Sequence, residues 1–330
     1  MSRVLVTGGA TFLGAALVRR LLSDPTYEVR VADQRPAPQW MREGCEIHTT
    51  DLSDPEHALS ATRGCTHVIH LAAGADASID CERQPQTWLQ IASATLAALI
   101  DAALEFEVER FTYISSSAAL DRASEFPTTE AHLTDCPAAR SAYGFSCLSG
   151  EVSCREAHAE HGLPFTICRP FGAYGPDDTP ATRSGLRRAV LDLITQAHRG
   201  RRALGIPGSA QRRRTLTHVS DIAAGILTAI GSPAGLNEDF HISATRELTL
   251  EQIARSVWEA CGRDREEFAL EQLPDSSLAV PRRWPSVAKA GELLGWEAQV
   301  GVDEGIAATA RWFSEQSRSR SSRAIGSQHQ

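Results

Sequence analysis

The feature that most limits what this chain can fold into lies in its first 33 residues. Arg3-Val4-Leu5-Val6-Thr7 is a short apolar run with β-branched residues. Gly8-Gly9-Ala10-Thr11-Phe12-Leu13-Gly14 follows, and residues 15–22 then repeat apolar side chains at helical spacing. A buried strand, a glycine-bearing turn and a helix, in that order, make a phosphate site. The turn lets backbone approach a pyrophosphate, and the helix N-terminus presents N–H groups and a partial positive charge. A second apolar run, residues 27–32, ends in Asp33. A carboxylate there can accept hydrogen bonds from an adenosine ribose. These residues predict an α/β doubly wound parallel sheet of the dinucleotide-binding kind, with Gly8, Thr11, Phe12, Leu13, Gly14 and Asp33 on the cofactor.

The remaining sequence fits that start. The chain has 330 residues, enough for one large α/β unit and a smaller appended domain. Its net charge of −8 gives no basic field for nucleic acid. No apolar run is read as approaching the roughly twenty residues that span a bilayer, and the N-terminus reads directly into a strand without a signal-peptide pattern. Eight cysteines, none in a Cys-x-x-Cys pair, suit reduced thiols and a cytoplasmic protein.

Strand-like and helix-like segments alternate through the first half. Strands are expected at 45–49, 66–71, 110–115 and 164–169, and long helices at 85–104 and 139–161. The pattern then loosens. Residues 172–185 read as a loop at a cleft, 201–217 as short strands with a basic cluster, and 219–230 as an apolar helix. The expected organisation is a dinucleotide-binding domain over 1–170, with 218–232 returning to it. A substrate-binding domain takes 171–217 and 233–316, and 317–330 form a disordered tail.

Two features carry chemistry. Ligands of an open parallel sheet bind beyond the carboxyl ends of its strands, so Ser115-Ser116-Ser117, ending the strand at 110–115, should turn hydroxyls into the cleft. Tyr143 lies in the first turns of the next long helix. A phenol there can act as general acid or base if it ionises well below its usual value of about 10. His67 and His70 fall on opposite faces of a strand. Cys154, His158 and His161 share a helical face without further ligands, so no metal is expected.

These segments resemble the NAD-dependent epimerase/dehydratase branch of the extended short-chain dehydrogenase/reductases, over about residues 3–314. Residues 110–117, Arg-Phe-Thr-Tyr-Ile-Ser-Ser-Ser, match the strand carrying the family's catalytic serine. Arg169-Pro170-Phe171-Gly172-Ala173-Tyr174-Gly175-Pro176 resembles its Arg-x-Phe-Asn-x-Tyr-Gly-Pro loop. Residues 214–221 resemble its Arg-x-x-x-His-Val-x-Asp segment, and 289–296 its Lys-Ala-x-x-x-Leu-Gly-Trp. The resemblance implies that Asp51 and Leu52 flank the adenine. It places Leu71, Ala72, Ala73, Ser115, Tyr143 and Pro170 along the cofactor. Ser117, Tyr143 and the residue at 147 become the catalytic group, and Ser117, Gly172 and Arg214 face the substrate. It also implies a homodimer through the two long helices.

The departures are specific. The middle glycine of the family's turn is Thr11, a side chain where bare backbone is expected. The lysine of Tyr-x-x-x-Lys is Cys147, which at neutral pH supplies no positive charge. The usual asparagine near the start of the helix at 85–104 is Ala92. That of the Arg-x-Phe-Asn loop is Gly172, and one diphosphate-gripping arginine falls in Asp275-Ser276-Ser277. The expected cofactor is NAD rather than NADP, because Asp33 repels a 2′-phosphate, although Arg35 leaves NADP open. The expected activity is hydride-transfer epimerase/dehydratase-like chemistry on a small polyhydroxylated or specialised metabolite, with an arginine or water replacing the lysine. The alternatives are a non-redox isomerase, lyase or cyclase on the same fold, and a binding protein with a dead site.

Overall fold

The computed structural model describes residues 2–71, 81–176, 185–275 and 282–326. In the first half, strands β1 (Ser2–Thr7), β2 (Tyr27–Asp33), β3 (Glu46–Thr49), β4 (His67–Leu71), β5 (Arg110–Ile114) and β6 (Phe165–Pro170) are interleaved with helices. These are α1 (Phe12–Leu22), α2 (Gln39–Gly44), α3 (Pro55–Thr62), α4 (Pro85–Glu105), α5 (His132–Asp135) and α6 (Ala142–His161). The second half holds short strands β7 (Ala173–Tyr174), β8 (Leu204–Pro207), β9 (Arg213–Thr215), β10 (Thr217–His218), β11 (Glu238–Ile242), β12 (Glu247–Thr249), β13 (Leu270–Leu273) and β14 (Arg282–Arg283). Its helices are α7 (Gly185–His198), α8 (Val219–Gly231), α9 (Leu250–Ala260), α10 (Ala288–Leu294) and α11 (Val302–Gly326).

Seven strands form one parallel sheet in the order β11-β6-β5-β4-β1-β2-β3. The order reverses between β1 and β4, where a doubly wound sheet opens a crevice for ligands. One face is covered by α3, α4 and α6, whose Leu96, Leu99 and Cys154 pack with Val68 and Phe111 of the sheet. The other face is covered by α1 and α8. There Leu17 and Leu21 meet Ile222 and Ile226 over Val4, Val6 and Val31. Arg110 ties α8 down by donating to the carbonyls of Ala229, Ile230 and Ser232 at the end of the helix. The second lobe has its own core, built from Val190 and Ile194 of α7, Val257 and Trp258 of α9, and Ile306 of α11.

Three expectations are corrected. β11 pairs with β6 and buries Phe240 and Ile242, so this part of 233–316 is the seventh strand of the main sheet and not part of the substrate lobe. α11 runs to Gly326, through the first part of the expected tail. Its packed early turns bury Val302, Ile306 and Ala310, and extending a formed helix costs far less than starting one. α4 is long and apolar enough to span a bilayer by length and composition. Its Trp88, Leu96, Leu99 and Ala102 are instead buried in the core.

Candidate active site

β1 ends in a turn at Gly8, whose φ of 69° lies in the left-handed region. Gly8 N donates to Ala32 O at 2.9 Å, which fixes the turn against β2. A methyl group at Gly14 would overlap Gly8 O and stand 2.7 Å from Gly9 Cα, so α1 starts directly on the glycine turn. The Thr11 side chain does not stand out from this turn. It is folded inward, only 8% exposed. Its Oγ1 donates to Gly8 O at 2.7 Å and accepts from Gly14 N at 3.1 Å, which makes it the N-cap of α1.

At the end of β2, Asp33 Oδ2 accepts from Ala10 N at 3.0 Å and Oδ1 from Arg35 N at 2.9 Å. Burial raises this carboxyl above its usual value, against the opposing pull of the Arg35 and Ala10 N–H groups and the Arg35 charge. A carboxylate offers about four acceptor directions, so two bonds leave capacity for ribose hydroxyls. Asp51 is exposed beside it and accepts from Ser53 N at 2.9 Å. Leu52 belongs to the core rather than to an open surface. Leu71 is buried at the end of β4, and Ala72 and Ala73 lie outside the described residues. A backbone cradle that one methyl would fill, followed by a carboxylate with unused acceptor capacity, fits a dinucleotide.

The three serines after β5 diverge. Ser115 was expected in the cleft, but its Oγ donates into the core, to Glu151 Oε1 at 2.6 Å. The pull comes from a buried charge network beneath, in which Arg169 bonds Glu151 at 2.7 Å and Asp239 at 2.6 Å. Ser116 caps a short 3-10 helix by accepting from Ala118 N at 3.2 Å, and its hydroxyl favours the ionised form of Tyr143. Ser117 is buried at the start of that 3-10 helix.

Tyr143 is set by the start of α6. Ser141 caps the helix, accepting from Gly144 N at 3.0 Å. Small residues on the buried face let α6 lie close to the sheet: at Gly150 a methyl would meet the ring and hydroxyl of Tyr113. The Trp88 ring stands edge-on to Tyr143 at 6.2 Å. Its Nε1 donates to Ser146 Oγ at 3.3 Å, and Ser146 Oγ donates to Tyr143 O at 2.8 Å. Sequence reasoning passed over Trp88; its one signal was a position one turn before Ala92 on the same helix.

The i, i+4 spacing does bring Tyr143 and Cys147 together, close enough for each to shift the other's ionisation. Cys147 is fully buried. Burial, then Glu151, pushes its thiol up, so it is neutral at physiological pH and no nucleophile. Against the expectation of a lowered phenol, burial, then Cys147, holds Tyr143 well above its usual value, with Ser116 and Arg283 pulling the other way, so proton transfer there needs further positive charge beside the ring.

The substrate side is a small sheet in the order β12-β9-β14. Arg213 faces Arg282 and Arg214 faces Arg283 in parallel register. Glu247 of β12 neutralises one pair, reaching Arg282 at 2.7 Å and Arg213 at 3.6 Å. Arg212 pairs with Asp275. Arg212 and Arg213 of the run 212–214 are thus ion-paired, and Arg214, more enclosed, donates from Nη1 to Arg213 O at 2.7 Å. Burial, then Arg283 and Arg212, pushes Arg214 down to about 10. Arg283, which sequence reasoning did not single out, reaches Ser117 Oγ with Nη1 at 3.5 Å. Pro170 closes β6, half-buried. Gly172 has φ 58° and accepts from Thr217 N at 3.0 Å. Asparagine also tolerates that backbone region, so glycine keeps the loop's shape and removes only the amide.

Comparison with known proteins agrees with this geometry. A family model described as the NAD dependent epimerase/dehydratase family matches residues 4–243. UDP-glucuronic acid decarboxylase 6 of Arabidopsis thaliana is 29% identical over 320 residues, 92% of this chain and 86% of that protein. A UDP-glucose 4-epimerase of Thermotoga maritima, solved with UDP-glucose, superposes with a TM-score of 0.83 at 27% identity, covering 95% of this chain and 99% of that one. The Thermus thermophilus UDP-glucose 4-epimerase in complex with NAD gives a TM-score of 0.81 at 25% identity, over 94% of this chain and 99% of the other.

Proposed function

The chain belongs to the NAD dependent epimerase/dehydratase family, and from that premise we propose that it carries out NAD-dependent oxidation and re-reduction at a hydroxyl-bearing carbon of a nucleotide-linked sugar. The observation that carries the reading is the convergence of the Gly8–Gly14 cradle and Asp33 with Ser117 and Tyr143 at the carboxyl ends of the parallel strands. The sugar-nucleotide relatives support the substrate class, and Arg214 supports an anionic end.

In this reading Gly8, Gly14 and the first turn of α1 hold the pyrophosphate, and Asp33 holds the adenosine ribose. When bound, NAD supplies a carbon that accepts hydride and gives it back. Tyr143 Oη takes the proton of the substrate hydroxyl and returns it. Ser117 Oγ orients the same oxygen. Thr11 leaves this intact, because its hydroxyl is spent inside the turn. Cys147 serves by filling space under Tyr143, not by transferring protons.

The test is a panel of UDP- and dTDP-hexoses and UDP-glucuronate, incubated with NAD and analysed by chromatography. At least one should be converted, and Tyr143→Phe should slow its conversion by about 10²–10⁴-fold. Conversion at an unchanged rate in Tyr143→Phe would overturn the assignment.

The outer sides of α4 and α6 support a homodimer through these helices. Phe145 and Val152 of α6 are 46% and 49% exposed, and Ser93, Ala94 and Ala97 of α4 are small and exposed.

A further inference from the structure

We propose that Arg283 is the positioning residue for Tyr143: the positive charge that the tyrosine's own helix lacks at Cys147, supplied instead from β14 of the small lobe. The inference rests on the reading of Tyr143 as the proton-transfer group.

Three observations carry it. Arg283 extends from β14 to the main-sheet site, where its Nη1 lies 3.5 Å from Ser117 Oγ across 166 residues of sequence. Its guanidinium is enclosed, and Nε finds no hydrogen-bond partner among the described residues. Its strand neighbours do not need it: Arg282 and Arg213 satisfy Glu247, and Arg212 satisfies Asp275. A guanidinium has five N–H donors, and this one, enclosed beside the Ser117 hydroxyl, lies close enough to Tyr143 for its charge to favour the ionised phenol.

The surroundings of the phenol bear this out. From its own helix comes Cys147, a neutral thiol that is itself raised by burial and then by Glu151 and Cys81. From the end of β5 comes the Ser116 hydroxyl, and from α4 the Trp88 ring. From the small lobe comes Arg283, which favours the ionised phenol. Burial works against the charge on Arg283 itself, while Asp121 and Tyr143 favour it. Arg214 stands opposite Arg283 in the neighbouring strand and repels it. An arginine keeps its proton under such pressure far better than a lysine would. Relocating the charge also has a consequence: the proton chemistry of the main domain depends on the seating of the substrate lobe, which a lysine on α6 would not require.

The experiment needs neither substrate nor cofactor. A fluorinated tyrosine, close to tyrosine in size and ionising at lower pH, is incorporated at position 143. Its phenolate absorbance is titrated in the full chain. Arg283→Met should move this titration upward by about one pH unit or more, and Arg283→Lys should return it most of the way. Adding Cys147→Lys to Arg283→Met should bring it back down, because either position can then supply the charge. An unchanged titration in Arg283→Met, with circular dichroism matching the parent, would overturn the proposal. A protein that binds no NAD but still shows the shift would refute the catalytic reading and leave the pairing of Arg283 with Tyr143 standing.

Discussion

At the scale of single residues, each departure from the family pattern has a different physical consequence. Thr11 is absorbed as a helix cap, so Thr11→Ala should cost about 1 kcal/mol in denaturant unfolding, while Thr11→Gly should cost only a few tenths and leave NAD affinity unchanged. A marked gain in affinity in Thr11→Gly would show that the hydroxyl obstructs the cradle after all. Gly172 keeps its backbone and loses an amide. Cys147 keeps its place and loses a charge. Which residues were legible follows from distance along the chain. Gly8, Gly14 and Asp33 sit in one strand–turn–helix–strand unit, and Ser117 and Tyr143 sit at predictable ends of adjacent elements. Arg283 and Trp88 reach the site only through tertiary packing, and no local spacing announces them. Ser115 was misread because a serine triplet does not reveal which hydroxyl a buried carboxylate will claim.

At the scale of elements, α6 sets the site. Its buried side is Gly144, Ser146, Cys147, Gly150, Glu151, Cys154 and Ala157, a small-residue surface whose one charge is locked to Arg169 at 2.7 Å. That lock extends through Asp239 of β11 to Lys289 of α10 at 2.9 Å, so four elements share one ion network under the reacting groups. Arg169→Met strands a buried carboxylate and should cost about 3–5 kcal/mol, read as a shift in the urea midpoint. Burial alone would raise Asp239, but Arg169, then Lys289 and Arg155, outweigh it and hold the carboxyl well below its usual value. A depressed carboxyl stabilises the fold above its unfolded value of about 4 and loses that contribution as pH falls toward the folded value. The urea midpoint of the native chain should therefore drop below about pH 4, and Asp239→Asn should be weaker at neutral pH with a flatter acid limb. Equal acid slopes for the two proteins would contradict the role given to Asp239. The strands and long helices of the first half were readable because their period and punctuation are local. β11 was assigned to the wrong lobe because a five-residue strand does not announce its sheet.

For the molecule as a whole, the two lobes divide the work: the parallel sheet carries the cradle, Ser117 and Tyr143, and the small lobe brings Arg214 and Arg283. The sequence returns 218–232, and with it α8, to the first domain, but leaves β11 in the other lobe although it also joins the sheet after the chain has left it. If α4 and α6 bury their outer sides between copies, the native chain should sediment as a dimer, and the double substitution Phe145→Asp, Val152→Asp should sediment as a folded monomer. A native monomer at micromolar concentration would rule out the dimer. Both lobes meet on one cofactor only if the first turn holds NAD beside a working tyrosine. The most direct measurement is calorimetric titration of nucleotide-free protein with NAD, paired with analysis of nucleotide released when the purified protein is denatured. Stoichiometric binding is expected, weakened about tenfold or more in Asp33→Ala, which corresponds to a loss of about 1.4 kcal/mol. Release of no nicotinamide dinucleotide, together with no heat of NAD binding, would contradict it.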